Sequence, residues 1–409
     1  MLVTRAHRFY EGTNQLMLTT KKAKGLAFAL AATALIGAAV SAGDSASADP
    51  KQYDAPFVGV GSDTTQDLFN AFAGFENGVN YSPLQTDAAT GQKQLVSWDA
   101  TAGGLTTTCI TSRTGGPSFN RPNGSGAGRG ALLSTIVSGG TTSNTNCGTG
   151  TTSASGQLSF ARSSSLSGTA GTTLAYVPFA RDALSFGYYR KTGAPVTSLT
   201  VAQLQQVFGS ATGAVIGGVQ IYGCDIQAAS GTGSTWRTKM GSAVPFTTTT
   251  VCDNAIDPTT GVAFGPMQEN DGSQLVAQGD VVDAAVPGAQ IIVGFSVGGY
   301  IGKANGVARG GMPTTVGIGT ISDIFATSPV TGTAPNLVGS SGYYATSYGR
   351  DLYNVLPATV INSAFGNDAI KQLFKGATSK VCLASSTIQS FGFLPVATCG
   401  DSTTIIRGA

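Results

Sequence analysis

Short apolar runs, separated by turn residues and by amphipathic segments, set the pattern of this chain. Phe57–Val60 is an apolar run that predicts a buried strand, and Gln94–Trp98 predicts a second one. Between them, Leu68, Phe69 and Phe72 fall on one face of a helix with about 3.6 residues per turn. Strands that alternate with helices in this way are typical of an α/β protein.

Longer segments continue the same pattern further along the chain. Tyr176–Tyr189 is a long strand-like run, and Pro287–Ala304 is a second long apolar segment, rich in glycine. Leu199–Phe208 predicts an amphipathic helix with Thr200 as its N-cap. Leu158–Ser164 interrupts a stretch that is otherwise rich in Gly, Ser and Thr, which indicates a structured, functional loop rather than a linker.

The N-terminal 48 residues have the pattern of an export signal. Lys21–Lys24 precede the apolar run Gly25–Ala42, and Ala46–Ala48 has the small-x-small form of a signal-peptidase site. We therefore expect a cleavable signal peptide over residues 1–48, a secreted protein and no membrane insertion after removal. A retained N-terminal anchor is the alternative, because this apolar run nearly suffices to span a bilayer. Either Met1 or Met17 starts the protein.

Charge is scarce and nearly balanced. Charged residues make up 11% of the 409, and the net charge is +2. The first 48 residues hold five basic and two acidic side chains, which leaves 18 basic and 19 acidic ones in the rest. Such a chain lacks the positive electrostatic field that would attract nucleic acids or anionic membranes, so we expect no nucleic-acid partner.

The histidine content restricts the chemistry further. The one histidine is His7, inside the predicted signal peptide, so the mature chain has no imidazole to act as general base or metal ligand. This excludes Ser-His-Asp, Cys-His and His-zinc chemistry in the exported protein. We expect neither a metal nor a cofactor.

Six cysteines follow the predicted signal peptide and fall into three local couples. An even number of cysteines in an exported chain indicates disulfides, although sequence alone leaves the pairing open. We predict the sequential pairing, in which each bridge encloses a loop rich in Gly, Ser and Thr. The predicted disulfides are Cys109–Cys147, Cys224–Cys252 and Cys382–Cys399.

Three segments place glycines and small hydroxyl residues just before a predicted helix: Gly61–Thr65, Gly124–Gly126 and Gly231–Thr235. A helix start offers unpaired N–H groups and a positive dipole end, and each hydroxyl adds a donor. Each segment alone also fits an ordinary N-cap, but together with Arg162–Ser164 they predict an oxyanion site. The candidate ligand-binding residues are Ser62, Asp63, Thr64, Thr65, Ser125, Gly126, Arg162, Ser163, Ser164, Thr232, Gly233 and Ser234.

The order of these motifs resembles that of the PstS-like phosphate-binding proteins of bacterial ABC importers, a branch of the type 2 periplasmic binding proteins. Gly59–Thr65 and Asn123–Gly128 are similar to the first and second oxyanion loops of that family. Phe160–Ser164 is similar to its Ser-Asp loop, and Gly231–Trp236 to its Gly-Ser-Gly-Thr motif. Further similar segments are Asn270–Gly272, Pro287–Ala289, Val293–Phe295, Tyr344, Leu352–Val355 and Gly392–Pro395.

The resemblance implies a fold and a function. The fold would be a two-lobe α/β periplasmic binding protein with two crossing strands as its hinge, near Tyr176–Tyr189 and Val293–Ala304. Lobe 1 would hold residues 49–180 and 301–409, and lobe 2 residues 181–300. The protein would be a monomer, not an enzyme, that binds inorganic phosphate or a similar oxyanion in the interlobe cleft for an ABC permease.

Two positions depart from the family pattern. Ser164 stands where the resemblance leads us to expect an Asp that accepts the ligand's proton, and Gln227 stands near the place of an Arg. Asp63 is a candidate replacement for the acceptor and Arg162 for the cation. The alternatives are a helix cap for Asp63 and a solvated loop charge or a structural pair for Arg162. An acceptor in the site would admit protonated phosphate and reject sulfate.

Other interpretations stay open. A secreted interaction protein that keeps this fold without transport is one alternative, and an enzyme acting on phosphate esters is another, which the absence of histidine disfavours. Trp98 and Trp236 are candidates for sugar stacking, but we expect them to pack in the core.

Overall fold

The computed structural model describes residues 49, 55–74, 94–101, 109–148, 150–241 and 250–408. All of these belong to one compact unit, Ser45–Ala409. The predicted signal peptide and the choice between Met1 and Met17 lie outside the described residues. Over the described ranges, helices are too short or too polar to cross a membrane.

Strands and helices alternate along the described part of the chain. The strands are β1 (Phe57–Gly61), β2 (Leu95–Ser97), β3 (Cys109–Thr111), β4 (Ser118–Asn120), β5 (Thr141–Ser143), β6 (Thr151–Ser153), β7 (Phe160–Ser163), β8 (Ala170–Arg190), β9 (Ser198–Leu199), β10 (Ala214–Ile216), β11 (Val219–Gly223), β12 (Gln290–Ser296), β13 (Gly317–Ile318), β14 (Thr320–Ile321), β15 (Val330–Thr331), β16 (Val338–Gly339), β17 (Gly349–Pro357) and β18 (Ile406–Arg407). The helices are α1 (Gln66–Phe72), α2 (Ser125–Ile136), α3 (Val201–Phe208), α4 (Gly231–Met240), α5 (Gly272–Ala285), α6 (Val297–Ala304), α7 (Ser341–Tyr344), α8 (Ala358–Ile361), α9 (Asp368–Phe374), α10 (Lys380–Leu383) and α11 (Ser385–Ser390), and a 3₁₀ turn covers Asp63–Thr65.

The main sheet is mixed and has the strand order β10-β11-β12-β8-β17-β7-β1-β2. On one side of β8, strands β2, β1 and β7 are parallel to one another and β17 is antiparallel to β7. On the other side, β11 runs parallel to β12, which is antiparallel to β8. This mixed sheet with helices packed on it confirms the predicted α/β class.

Strand β8 joins the two sides because it is 21 residues long. Its pairing with β17 covers Leu174–Ala183, and its pairing with β12 covers Leu184–Arg190. We call the part built on β17, β7, β1 and β2 the first half, and the part built on β12, β11 and β10 the second half. The long strand predicted over Tyr176–Tyr189 is therefore confirmed.

The second predicted crossing strand, Val293–Ala304, differs from the structure. The strand ends at Ser296, whose side chain accepts a hydrogen bond from the Gly299 amide at 2.9 Å and so caps helix α6. The chain contacts the first half again directly after this helix, where Ala308 packs in the core of Phe69, and it joins the sheet of that half as β17. Because serine is a favoured N-cap residue, Ser296 marks the point at which this apolar segment changes from strand to helix.

Each half of the sheet has its own apolar core. Phe69 and Phe160 belong to a core of the first half, and Trp236 and Phe186 to a core of the second. Trp98 and Trp236 are 3% and 1% exposed, which confirms core packing. Tyr343 packs in the core of Phe186, so that core extends past residue 300, where the sequence places the end of lobe 2.

The three predicted disulfides are present. The structure pairs Cys109 with Cys147, Cys224 with Cys252 and Cys382 with Cys399. Bridges of this kind stabilise a fold mainly by restricting the unfolded chain, by about 3 kcal/mol for loops of this length.

Candidate anion-binding site

The strand register brings three of the predicted loops to one edge of the sheet. Gly61 at the end of β1 pairs with Arg162 at the end of β7, and an isolated bridge joins Gly61 to Asn123 before α2. Because parallel strands end at the same edge, the loops that follow them meet there. Gly61 has φ +118°, and a Cβ there would lie 2.5 Å from the carbonyl oxygen of Arg162, so this close approach requires glycine.

Three serine hydroxyls from these loops form a buried group that we call the serine cluster: Ser62, Ser125 and Ser164. The Ser62 hydroxyl donates to Ser164 Oγ at 3.1 Å, and Ser125 Oγ lies 3.3 Å from Ser164 Oγ. The Ser164 amide donates to Ser125 Oγ at 3.0 Å. Each residue is at most 1% exposed, so their polar atoms pair with one another rather than with water.

Helix α4 in the second half of the sheet starts against the serine cluster. A Cβ on Gly231 would lie 2.4 Å from Ser125 Oγ and 2.5 Å from Ser164 Oγ, so the absence of a side chain lets the helix approach. The Ser230 side chain caps this helix by accepting from the Gly233 amide at 2.8 Å. The structure therefore brings the fourth predicted segment to the other three.

A buried glutamate lies where these segments meet. Oε2 of Glu269 accepts hydrogen bonds from the Thr64 amide at 3.2 Å, the Thr64 hydroxyl at 2.5 Å and the Thr232 hydroxyl at 3.2 Å. Oε1 accepts from the Thr232 amide at 3.4 Å and from the Ser230 hydroxyl. We call Thr64, Ser230 and Thr232 the carboxylate cradle. Glu269 is 1% exposed, so an oxyanion of the protein itself occupies a site built from amides and hydroxyls.

Sequence reasoning missed Glu269. It directly precedes Asn270–Gly272. The family resemblance covers that segment but does not include Glu269. A signal existed, because Glu269 is one of three glutamates in the chain, with Glu11 and Glu76. A scarce charged residue beside a motif is a candidate for a buried role.

The cation nearest the cradle is Arg350 on β17. Its Nη2 donates to the Thr232 hydroxyl at 2.7 Å and to Asp182 Oδ2 at 2.9 Å, and its Nε donates to the same carboxylate oxygen at 3.1 Å. Asp182 Oδ1 accepts from the Gly298 amide at 3.0 Å. Arg350 Nη1 is buried and has no hydrogen-bond partner among the described residues. This cation was not among the predicted site residues.

Arg162, the predicted cation, has a different place. Its guanidinium donates to the carbonyl oxygens of Ser62 at 3.1 Å, Gly61 at 3.2 Å and Trp98 at 3.0 Å, and to the Ser97 hydroxyl. Burial lowers the pKa of Arg162 to about 10, which leaves it charged at neutral pH. Arg162 is buried, so it is not a solvated loop charge. Its donors have a structural role, because they bind the backbone of the first loop rather than the hydroxyls of the serine cluster.

Asp63, the predicted acceptor, starts the 3₁₀ turn beside the cradle. It lines a small cavity of about 10 Å³ together with Asn270 and Lys303. Burial raises the pKa of Asp63 well above its ordinary value; Lys303 opposes this rise and Glu269 adds to it. The raised pKa makes this carboxyl easier to protonate than an exposed aspartate. Its contact with a ligand stays a prediction.

The other predicted residues lie around the site, and three of them, Ser163, Gly126 and Gly233, have structural hydrogen-bond partners. The Ser163 hydroxyl donates to the Ser165 carbonyl, and the Gly126 amide donates to the Ala229 carbonyl at 3.2 Å. Gly233 is bound to the Ser230 cap, and Ser234 is exposed. Thr65 is buried, and its hydroxyl lacks a hydrogen-bond partner in the described part of the chain.

Gln227, at the second position that departs from the family pattern, connects two loops. Its side chain donates to Asn123 Oδ1 at 3.1 Å and accepts from the Ala229 amide at 2.8 Å. It therefore supports the loop before α4 and supplies no charge.

Within the described residues, no group of three or more His, Cys, Asp and Glu side chains is arranged to hold a metal ion.

Comparisons with known proteins find likeness among solved structures. No family model and no curated protein matches the chain. An ABC-type phosphate transport receptor from Vibrio cholerae is 13% identical with a TM-score of 0.41, over 83% of this chain and 99% of that one. A phosphate-binding protein from Stenotrophomonas maltophilia is 13% identical with a TM-score of 0.40, over 84% and 91%. PstS from Borrelia burgdorferi is 12% identical with a TM-score of 0.34, over 83% and 98%. The structural neighbours of this α/β chain are thus phosphate-binding proteins of the PstS type, at low sequence identity.

Proposed function

We propose that this protein is an exported solute-binding protein that binds inorganic phosphate or a similar oxyanion at the serine cluster and the carboxylate cradle. One observation carries the proposal: the amides and hydroxyls of the cradle already surround the two oxygens of an oxyanion, the carboxylate of Glu269. Thr64 and Thr232 are 168 residues apart in sequence, yet their hydroxyls lie 3.0 Å apart. Such convergence of donors favours anion binding.

The chemistry of the site suits a small, strongly hydrated anion. The start of α4 contributes the Thr232 amide and the positive end of its dipole, and the serine cluster adds three hydroxyls. Arg350 is paired with Asp182 and contacts the site through the Thr232 hydroxyl, and its buried Nη1 has no hydrogen-bond partner among the described residues. A micromolar affinity needs about 8 kcal/mol net, which several charge-assisted hydrogen bonds supply after desolvation costs.

The cell-biological part of the proposal follows from the sequence. The N-terminal signal pattern and three disulfides fit a protein that works outside the cytoplasm. Its task there would be to bind a solute, as a monomer and without catalysis, for transfer to an ABC permease.

Isothermal titration calorimetry of the mature protein with phosphate, arsenate and sulfate tests this function. We expect binding heat with phosphate and arsenate. Sulfate reports the state of Asp63: an ionised carboxylate in the site would reject this unprotonated anion, whereas a protonated one would admit it. Absence of heat with all three anions at millimolar concentration, both for the wild type and for Glu269→Ala, would contradict the proposal.

One observation favours a second function. Because Glu269 satisfies the cradle donors without a ligand, the same fold is stable as an interaction protein that transports nothing. This alternative predicts that Glu269→Ala also fails to bind any of the three anions.

A further inference from the structure

We propose that Glu269 is an intramolecular ligand of the anion site, and that its carboxylate must leave the cradle before phosphate or another oxyanion binds. This inference rests on the proposed function, because it concerns the regulation of the same site. It makes ligand binding a displacement reaction rather than the filling of a free site.

The hydrogen-bond donors of the carboxylate cradle are already bound to Glu269. Five hydrogen bonds reach the carboxylate, from the amides of Thr64 and Thr232 and from the hydroxyls of Thr64, Ser230 and Thr232. These are the groups that an external oxyanion would use at the start of α4. A second anion therefore finds the cradle donors in use, and its oxygens would face the carboxylate oxygens of Glu269.

The charge of the Glu269 carboxylate also opposes the binding of a second anion. Arg350 lies one group away from Glu269, since its Nη2 contacts the Thr232 hydroxyl, and its own charge is paired with Asp182. The Glu269 carboxylate is therefore held by neutral donors, as a bound anion would be. In a buried site, two anions in contact repel each other strongly, so the carboxylate and the ligand exclude each other.

Glu269 joins the two halves of the sheet as a ligand would. Thr64 follows β1 in the first half, whereas Ser230 and Thr232 follow β11 in the second. One carboxylate binds both sides, so it stabilises their contact without any solute. The loop of Glu269 is itself anchored, because the Met267 amide donates to the Asp225 carbonyl at 2.8 Å and Asn270 Oδ1 accepts from the Ser296 amide at 2.9 Å.

Anchoring on both sides of Glu269 has a consequence for its release. The backbone of Met267 and the side chain of Asn270 are bonded to other elements, so the carboxylate leaves by rotation of its own side chain when the halves separate. Breaking the hydrogen bonds of the carboxylate costs free energy, so only a fraction of the molecules has a vacant cradle. The apparent affinity for the external ligand is the intrinsic affinity multiplied by that fraction.

The test compares wild type, Glu269→Ala and Glu269→Gln, with Asp368→Ala as a control that removes an exposed carboxylate. By calorimetry with inorganic phosphate, we expect Glu269→Ala to bind at least about tenfold more tightly than wild type. We expect Glu269→Gln to fall between them, and Asp368→Ala to match wild type. Glu269→Gln keeps the shape of the side chain and serves if the alanine variant does not fold.

A second measurement does not depend on phosphate. Sodium formate supplies a small carboxylate that fits the space left in Glu269→Ala, so it should raise the melting temperature of this variant relative to equal sodium chloride. It should leave the wild type unchanged, because the wild-type cradle is filled.

The outcomes separate this inference from the proposed function. Phosphate binding that is equal or weaker in both Glu269 variants than in the wild type overturns the displacement model and leaves phosphate binding intact. Formate stabilisation of Glu269→Ala without phosphate binding in any variant supports the internal ligand and contradicts the proposed function. If no protein, including the wild type, binds phosphate and formate does not stabilise Glu269→Ala, both the displacement model and the proposed function are contradicted.

Discussion

At the scale of single residues, the site depends on side chains that are absent as much as on those present. Gly61 lets β1 approach the backbone of Arg162, and Gly231 lets helix α4 approach the serine cluster, within distances that a Cβ would prevent. Arg162 then fixes the first loop from behind through its carbonyl oxygens. The residues that would contact a ligand are therefore positioned by neighbours that do not.

Gly231→Ala tests the close approach of α4. The added methyl group meets two serine oxygens at 2.4 and 2.5 Å, so we expect a loss of about 1–3 kcal/mol in the free energy of unfolding and weaker anion binding. Urea denaturation and calorimetry measure the two effects. Gly130→Ala is the matched control: it is also a helical glycine, with no atom within 4 Å of the added Cβ, and should be neutral or stabilising by up to about 1 kcal/mol.

Arg162→Lys separates support of the loop from contact with the ligand. A lysine lacks the fork of donors that reaches three carbonyl oxygens, so we expect the free energy of unfolding to fall by about 2–4 kcal/mol. Thermal and urea unfolding measure this loss, with Arg407→Lys as the control at a site with one long hydrogen bond. A stable Arg162→Lys protein that no longer binds phosphate would instead support the role of ligand cation that the sequence suggests.

At the scale of elements, local signals and local structure agree. The helix predicted over Leu199–Phe208 is α3, where Thr200 accepts from the Gln203 amide and Gln203 Oε1 accepts from the Thr200 amide, a complete capping box. The C-terminal turn is similarly closed by Asp401, which accepts from the Thr403 amide at 2.9 Å and the Thr404 amide at 3.2 Å. Both depend on polar residues next to the backbone groups that they satisfy.

The Asp401 turn predicts a pH dependence. Hydrogen bonds from Thr404 and Thr403 lower the pKa of Asp401 to about 2. Because the pKa is lower in the folded state than the ordinary 3.8, the ionised form stabilises the fold. This contribution, about 1–2 kcal/mol after solvent screening, is present above pH 4 and is lost as the pH falls toward 2.

Urea unfolding of wild type and Asp401→Asn at several pH values checks this. The difference in free energy of unfolding should be constant above pH 5 and shrink as the pH falls through 4 toward 2. A difference that does not change with pH would show that the carboxylate charge is not what stabilises the turn.

At the scale of the whole molecule, β8 runs through both halves, and a buried ion pair of the first half contacts groups of the second half. Asp182 on β8 binds Arg350 on β17 and the Gly298 amide at the start of α6. The side chains of Asp182 and Arg350 are 0% and 8% exposed. This pair connects the central strands to the helix that follows β12, and through Thr232 to the anion site.

Asp182→Asn should therefore destabilise the molecule as a whole. Removal of one partner leaves the Arg350 charge buried and unpaired, which costs about 3–5 kcal/mol in the free energy of unfolding. Asp351→Asn is the matched control, because Arg181 and Asp351 pair across the same two strands with side chains 31% and 27% exposed; its cost should be at most about 1 kcal/mol. Equal losses in the two variants, measured by urea denaturation, would contradict this account.

Much of the fold follows from local patterns in the chain. Alternating apolar and amphipathic segments specify β1, α1, β8 and α3, because burial of one face and capping of helix ends depend on neighbouring residues. The cysteine couples predict all three disulfides for the same reason, since each closes a short loop. The glycine and hydroxyl residues before the helices likewise mark three segments that meet in space, together with the Arg162–Ser164 loop.

The partners inside the site follow from the packing of distant segments. Glu269 reaches Thr64 across 205 residues, and Arg350 reaches Thr232 across 118, so no local pattern encodes these contacts. Arg162 carries the same charge as Arg350, and only the register of β1 and β7 turns it toward the loop carbonyls. The chain thus specifies which groups are able to bind an anion, while the folded arrangement selects which of them do, because a buried charge takes the nearest partner in space rather than in sequence.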